Sequence, residues 1–224
     1  MLREQHYLFN MCMIAGCVTK NFGVLATDSA LYDSSKDRMY FQNMKLYCSD
    51  KYVVSYIGAS DYFSEFDVSI FNLDYDELSD KLSKYLNEMR PKISGNKNVC
   101  VFVLGIKERV PTISQFNSYL DFDPKYLFSS NGPKFSTVYY GDDNKEKKKV
   151  FSDSKSFMDK EMKRFKKEGM SPGIVGEVLA RGIYKKADLE MKTGEKRKYA
   201  GGAISTACIL FNGSIFPLSG FIRV

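Results

Sequence analysis

Two short apolar runs, Cys12–Val18 and Phe22–Thr27, are separated only by Thr19, Lys20 and Asn21. No other stretch restricts the fold as much. Each run has the length of a strand, and polar turn formers sit between them, so the pair reads as a buried antiparallel hairpin. A hairpin returns the end of its second strand to the start of its first. Asp28 closes the second run and Cys12 heads the first, so an acid and a thiol far apart in sequence become neighbours. Cys17 stands an odd number of residues after Cys12, faces the other side of its strand and reads as core.

The rest of the chain alternates strand and helix patterns. Residues 39–47 and 52–58 read as a second strand pair, and Ser60 opens a helical pattern with Tyr62, Phe63, Phe66 and Ile70 on one face. Asp74 and Glu77 have the spacing of a capping box. Leu78, Leu82, Tyr85, Leu86 and Met89 form the stripe of that helix, and Pro91 ends it. Asn98–Ile106, Pro111–Leu120 and Tyr126–Ser130 read as strands. A turn at Gly141–Asn144 and a lysine run precede a weaker helix carrying Phe157, Met158, Met162 and Phe165, closed by Gly169. Ser171-Pro172 opens a stronger one, with Ser as N-cap and Pro in the first turn. Ala203–Phe211 and Ser214–Phe221 make a closing hairpin around Asn212-Gly213. No repeat or linker divides the chain. The expectation is one α+β domain over residues 12–224, with residues 1–11 as an N-terminal extension or propeptide.

Composition excludes several classes. The net charge of +6 comes partly from Lys145–Lys149 and Lys160–Lys167, but these are lysines interleaved with acids, with few arginines. They read as a solvated face, not a nucleic-acid interface. Five cysteines, an odd count without any CxxC, argue for reduced thiols and against a disulfide framework or zinc site. No cofactor and no metal is expected. No apolar run approaches the ~20 residues of a membrane span, and residues 1–10 are too short and polar for a signal peptide. A cytoplasmic protein without membrane contact is the expectation.

The order of these segments resembles the proteasome β-type subunits and the related HslV and Anbu proteins. The matching residues are Cys12 in the place of the N-terminal nucleophile, Gly23 in the following turn, and Ala26-Thr27-Asp28-Ser29. Asn43–Tyr47 follows, with Lys45 in the place of the catalytic lysine, and then Asp50–Asp61, with a small-residue turn at Ile57-Gly58-Ala59. Phe128–Pro133 resembles the loop whose serine positions the nucleophile's amine, which points to Ser130 or its neighbour Asn131. The resemblance implies a four-layer αββα sandwich that hydrolyses peptide bonds. Its substrate would be a peptide or protein, its assembly a homo-oligomeric ring, and its partner an ATP-dependent unfoldase.

In that reading Cys12 attacks the amide carbonyl, Lys45 favours the thiolate and Asp28 orients Lys45. A backbone N–H at Gly58 or Ala59 stabilises the oxyanion. The one histidine, His6, precedes the hairpin, so the base would be the α-amine of Cys12, with an ordinary pKa of about 7.7–8.0. Two places depart from the family. Lys198–Gly202 resembles its Tyr-Ser-Gly-Gly stretch, but Arg197 replaces an acid and Ala200 replaces the serine. Arginine accepts no hydrogen bond and alanine has no hydroxyl. Cys12 itself replaces threonine, and Met11 precedes it where glycine is common. A catalytically inactive ring component is therefore the alternative, and a cysteine amidohydrolase acting on small amides is a third reading.

Overall fold

The computed structural model describes residues 8–10, 13–33, 38–40, 45–63, 66–93, 98–129, 132–139, 145–192 and 203–218. The predicted first hairpin forms: β2 (Met13–Val18) and β3 (Phe22–Asp28) pair antiparallel from Ile14↔Thr27 to Val18↔Gly23. Thr19 closes the turn. Its Oγ1 accepts the Phe22 N–H at 3.1 Å, and its own N–H donates to the Phe22 carbonyl at 2.8 Å.

The described residues form two antiparallel sheets. The first contains β1 (Leu8–Asn10), β4 (Leu31–Asp33), β5 (Arg38–Tyr40), β6 (Leu46–Cys48), β7 (Val53–Ala59), β8 (Val99–Lys107), β9 (Val110–Asn117) and β10 (Lys125–Phe128). Its order is β10-β9-β8-β7-β1-β4-β5, and β6 also pairs with β7. The second contains β2, β3, β11 (Lys134–Tyr139), β12 (Ile204–Leu210) and β13 (Ile215–Leu218), in the order β11-β2-β3-β12-β13. Three α-helices accompany them among the described residues: α1 (Tyr75–Met89), α2 (Lys145–Glu168) and α3 (Pro172–Lys192). The fold is thus mixed α and β.

Side-chain alternation explains why the central strands are apolar throughout. On β2, Met13, Ala15 and Cys17 pack against Met158, Val175 and Leu179 of α2 and α3. The intervening Ile14 and Val18 instead meet Val53, Ile57, Phe102 and Ile113 of the first sheet. On β7, Val54 and Tyr56 turn outward to join Leu78, Leu82 and Leu86 of α1. A strand buried on both faces has no polar face to show, so it reads as a continuous apolar run.

Several boundaries differ from the sequence reading. Residues 60–70 do not form one helix. Ser60–Phe63 and Val68–Asn72 are separate 3-10 turns, the second capped by Asp67, which accepts the Ser69 N–H at 2.9 Å. Asp74 is the N-cap of α1 but makes no side-chain capping bond. Its carbonyl accepts the Leu78 N–H at 2.8 Å, so the backbone alone starts the helix. Helix α2 begins at Lys145, well before the predicted stripe, because buried Val150 and Ser154 extend that stripe toward the N-terminus. The expected 52–58 strand is β7, and of the described residues of the expected 39–47 strand, Leu46 and Tyr47 pair with it while Met39 and Tyr40 belong to β5, which pairs with β4.

A buried tyrosine ties α1 to the first sheet. Tyr75 Oη donates to the Thr112 carbonyl at 3.0 Å or the Val103 carbonyl at 3.2 Å, and accepts from Ser114 Oγ at 2.9 Å. A Tyr75→Phe chain leaves the fully buried Ser114 hydroxyl without this acceptor. The expected loss is about 1–3 kcal/mol of unfolding free energy, read by urea denaturation.

Candidate functional site

The site grows from the open end of the β2–β3 hairpin. The Ile14↔Thr27 register sets the start of β2 beside the end of β3, and the Ile204↔Asp28 pair sets the start of β12 on its other side. Asp28 is thereby buried at the end of a central strand. A carboxylate sequestered there needs a partner, because desolvating a lone charge is costly. Lys45, just before β6, supplies it. Its Nζ lies 3.3 Å from Asp28 Oδ1, and both side chains have no solvent exposure. The same ammonium donates to the Ala30 carbonyl. Next in line, Ser29 Oγ accepts the Ala203 N–H at 2.9 Å, which fixes the chain beyond β3 to the start of β12. The result is a lysine whose ammonium is held in one place by a carboxylate and a carbonyl.

The predicted pair of Asp28 and Lys45 is therefore brought together. Gly58 and Ala59 are not in a turn. They end β7, because the apolar run continues into the pairing of Gly58 with Val99. Gly58 has φ of +105°, and Ala59 donates its N–H to the Asn98 carbonyl at 2.9 Å. Across the other edge of β7, Asn10 lies opposite Gly58 and Phe9 opposite Ala59. Cys12, Ser130, Asn131, Arg197 and Ala200 lie outside the described residues. Their described neighbours are Met13, fully buried at the head of β2, and Ser129, whose Oγ donates to the Gly132 carbonyl at 2.5 Å. The sequence reading missed the Ala30 carbonyl, a backbone group with no side-chain signature. It also missed strand β1, whose three residues are too few to show a period.

Among the described residues no group of three or more His, Cys, Asp or Glu side chains is placed to hold a metal. Among the same residues no helix is long and apolar enough to cross a membrane.

The described thiols are not activated. Burial pushes the Cys17 thiol up to about 12 and also raises those of Cys48, Cys100 and Cys208. Native protein at pH 8 is expected to react with a thiol reagent at Cys48, the exposed one, long before Cys17, Cys100 or Cys208. Peptide mapping after labelling checks this order. The sign of the alkaline effect follows. Between the ordinary value of 9.0 and about 12, the unfolded chain releases the Cys17 proton while the folded chain keeps it. Stability therefore falls as pH rises through that window.

No protein-family model matches the chain, and no curated protein matches it.

Proposed function

We propose that this chain is a proteasome-like N-terminal nucleophile hydrolase that cleaves peptide bonds with Cys12. The observation that carries the reading is the buried Asp28–Lys45 pair at the open end of the β2–β3 hairpin. A fully buried lysine held by an acid and a carbonyl is a costly arrangement that a purely structural turn does not need. Three apolar clusters support the four-layer αββα reading: one under α1, one between the sheets, and one under α2 and α3.

In this reading the chain is cut between Met11 and Cys12, which frees the α-amine of Cys12. The amine takes the thiol proton, and Sγ attacks the substrate carbonyl carbon. The Lys45 charge favours the thiolate. The tetrahedral oxyanion takes a backbone N–H. Ala59 spends its own on Asn98, so Gly58 is the candidate donor, on an edge of β7 that Asn10 covers until the segment cut off before Cys12 leaves. Collapse breaks the C–N bond, and the leaving amine receives the proton from the Cys12 amine. Water then hydrolyses the thioester and restores the thiol. Ser130 would orient the Cys12 amine. The substrate is a peptide or protein, and assembly into a homo-oligomeric ring with an ATP-dependent unfoldase belongs to the same proposal.

A second reading is an inactive ring component, favoured by Arg197 and Ala200 where the family has an acid and a serine. The intact mass of reduced, purified protein separates the two. A chain beginning at Cys12, with peptidase activity blocked by a thiol reagent and lost in Cys12→Ala, supports the hydrolase. A chain that keeps residues 1–11 and turns over no peptide supports the inactive component.

A further inference from the structure

Among the described residues, the buried charged side chains are Asp28, Lys45 and Lys186. The first two form the pair described above. Lys186 lies on α3 and has no solvent exposure. Lysine is seldom fully buried, because stripping its ammonium of water is costly. We propose that Lys186 is a positioning residue of the site, a second buried cation that acts on the Asp28–Lys45 pair through space from the α3 side. Its consequence for Cys12 rests on the hydrolase reading; its coupling to the pair does not.

Three observations support this placement. First, Lys186 stands in the buried stripe of α3. It follows Leu179 by seven residues and Ile183 by three, and both of those pack against β2 and β3. A lysine in that row is aimed at the sheet. Second, α3 reaches the open end of the hairpin at this turn. The Gly182 carbonyl accepts from Ser154 Oγ at 2.6 Å, and that Oγ lies 4.0 Å from Met13 Sδ at the head of β2. In an α-helix the same carbonyl takes the N–H of residue 186. Earlier in α3, a Cβ on Gly176 would stand 3.7 Å from Thr206 Oγ1, and Thr206 pairs with Ala26. The helix therefore runs toward the Asp28 end of β3. Third, the sheet offers a single charge on this face. Strands β2 and β12 carry none, and β3 carries only Asp28. Asp28 pairs with Ile204, which clusters with Val24 and Ala26 under α2 and α3, so alternation turns Asp28 toward α3. Asp188 lies on α3 itself, about 200° round the helix from Lys186. A second ammonium at this end opposes the charge of Lys45 and supports the ionised form of Asp28. Under the hydrolase reading, its added positive potential at the head of β2 also favours the Cys12 thiolate.

The test measures unfolding constants of the full chain by urea denaturation at neutral pH. Lys186→Met is made in the parent, in Asp28→Asn and in Lys45→Met. Asp28→Asn leaves Lys186 facing Lys45 alone. There Lys186→Met should raise the unfolding constant by a factor roughly tenfold or more below its factor in the parent, or should lower the constant. Lys45→Met leaves Lys186 as the cation nearest Asp28, so the factor there should be larger than in the parent by a similar margin. Lys186→Arg keeps the charge and should keep the parent's coupling to Asp28. Ile183→Val, on the same stripe, should cost the same in every background. If the factors for Lys186→Met agree to better than about tenfold across the backgrounds, or if Ile183→Val varies as much as it does, Lys186 only packs and the proposal is overturned. Where Lys45→Met does not fold, the Asp28→Asn comparison decides, and where Lys186→Met does not fold, Lys186→Gln is read by the same criteria. No turnover enters these readings, so a chain that hydrolyses no peptide would sink the hydrolase reading and leave the coupling standing.

Discussion

A Lys45→Met chain is expected to lose about 3–5 kcal/mol of unfolding free energy, because it strips the Asp28 carboxylate of its buried cation. Asp28 and Lys45 side chains are both without solvent exposure, so water cannot replace the lost partner. Urea denaturation checks the size of the effect. The informative control is the double variant Asp28→Asn, Lys45→Met. Removing both charges abolishes the uncompensated carboxylate, so the double variant should recover most of the loss and sit above the single variant. A near-neutral Lys45→Met would show that the pair carries no buried charge. Under the hydrolase reading, the single variant also loses peptide turnover under conditions where it remains folded.

Gly58→Ala is the second large effect. The φ of +105° at Gly58 lies where a side chain is rarely tolerated, which costs about 1–3 kcal/mol by itself. An added Cβ would also stand 2.1 Å from the Asn98 carbonyl oxygen and 2.7 Å from Val99 Cα. Both obstacles are backbone, so they cannot rotate away. The β7–β8 ladder must open at its end, taking the Ala59 N–H away from Asn98 and shifting the edge that faces Asn10. The expected outcome is a fall in thermal midpoint beyond that of an ordinary surface substitution. Protection should be lost at residues 57–59 and 98–100 before it is lost in β2 and β3. Equal stability of the two chains would overturn this account.

The parts legible in the sequence were those with a strong local period or strong punctuation. The β2–β3 hairpin, α1, α3 and the hairpin at Asn212-Gly213 all carry such signals. Gly213 meets the turn's demand with φ of +86°. Strand β11 was not found, because Lys134, Ser136 and Thr137 interrupt Phe135 and Val138 and the strand is only partly buried. The first turns of α2 were hidden by exposed Lys148 and Lys149, which mask the buried Val150 beside them. At the site, the hairpin register announced Asp28, and the family resemblance pointed to Lys45. The remaining contacts come from backbone groups, the Ala30 carbonyl and the edge of β7, whose position depends on pairing between distant segments. No residue type encodes them locally.

The central position of β3 also bears on how the chain is made. One neighbour, β2, precedes it immediately, but the other, β12, pairs Ile204 with Asp28 and is synthesised much later. At ~5–20 residues per second, roughly 10–35 s separate the two segments on the ribosome. During that interval one edge of β3 lacks its final partner. Non-local pairing of this kind slows folding and lengthens exposure to misassembly. A nascent chain stalled before residue 204 should therefore be a preferred client for chaperones that recognise apolar strand edges.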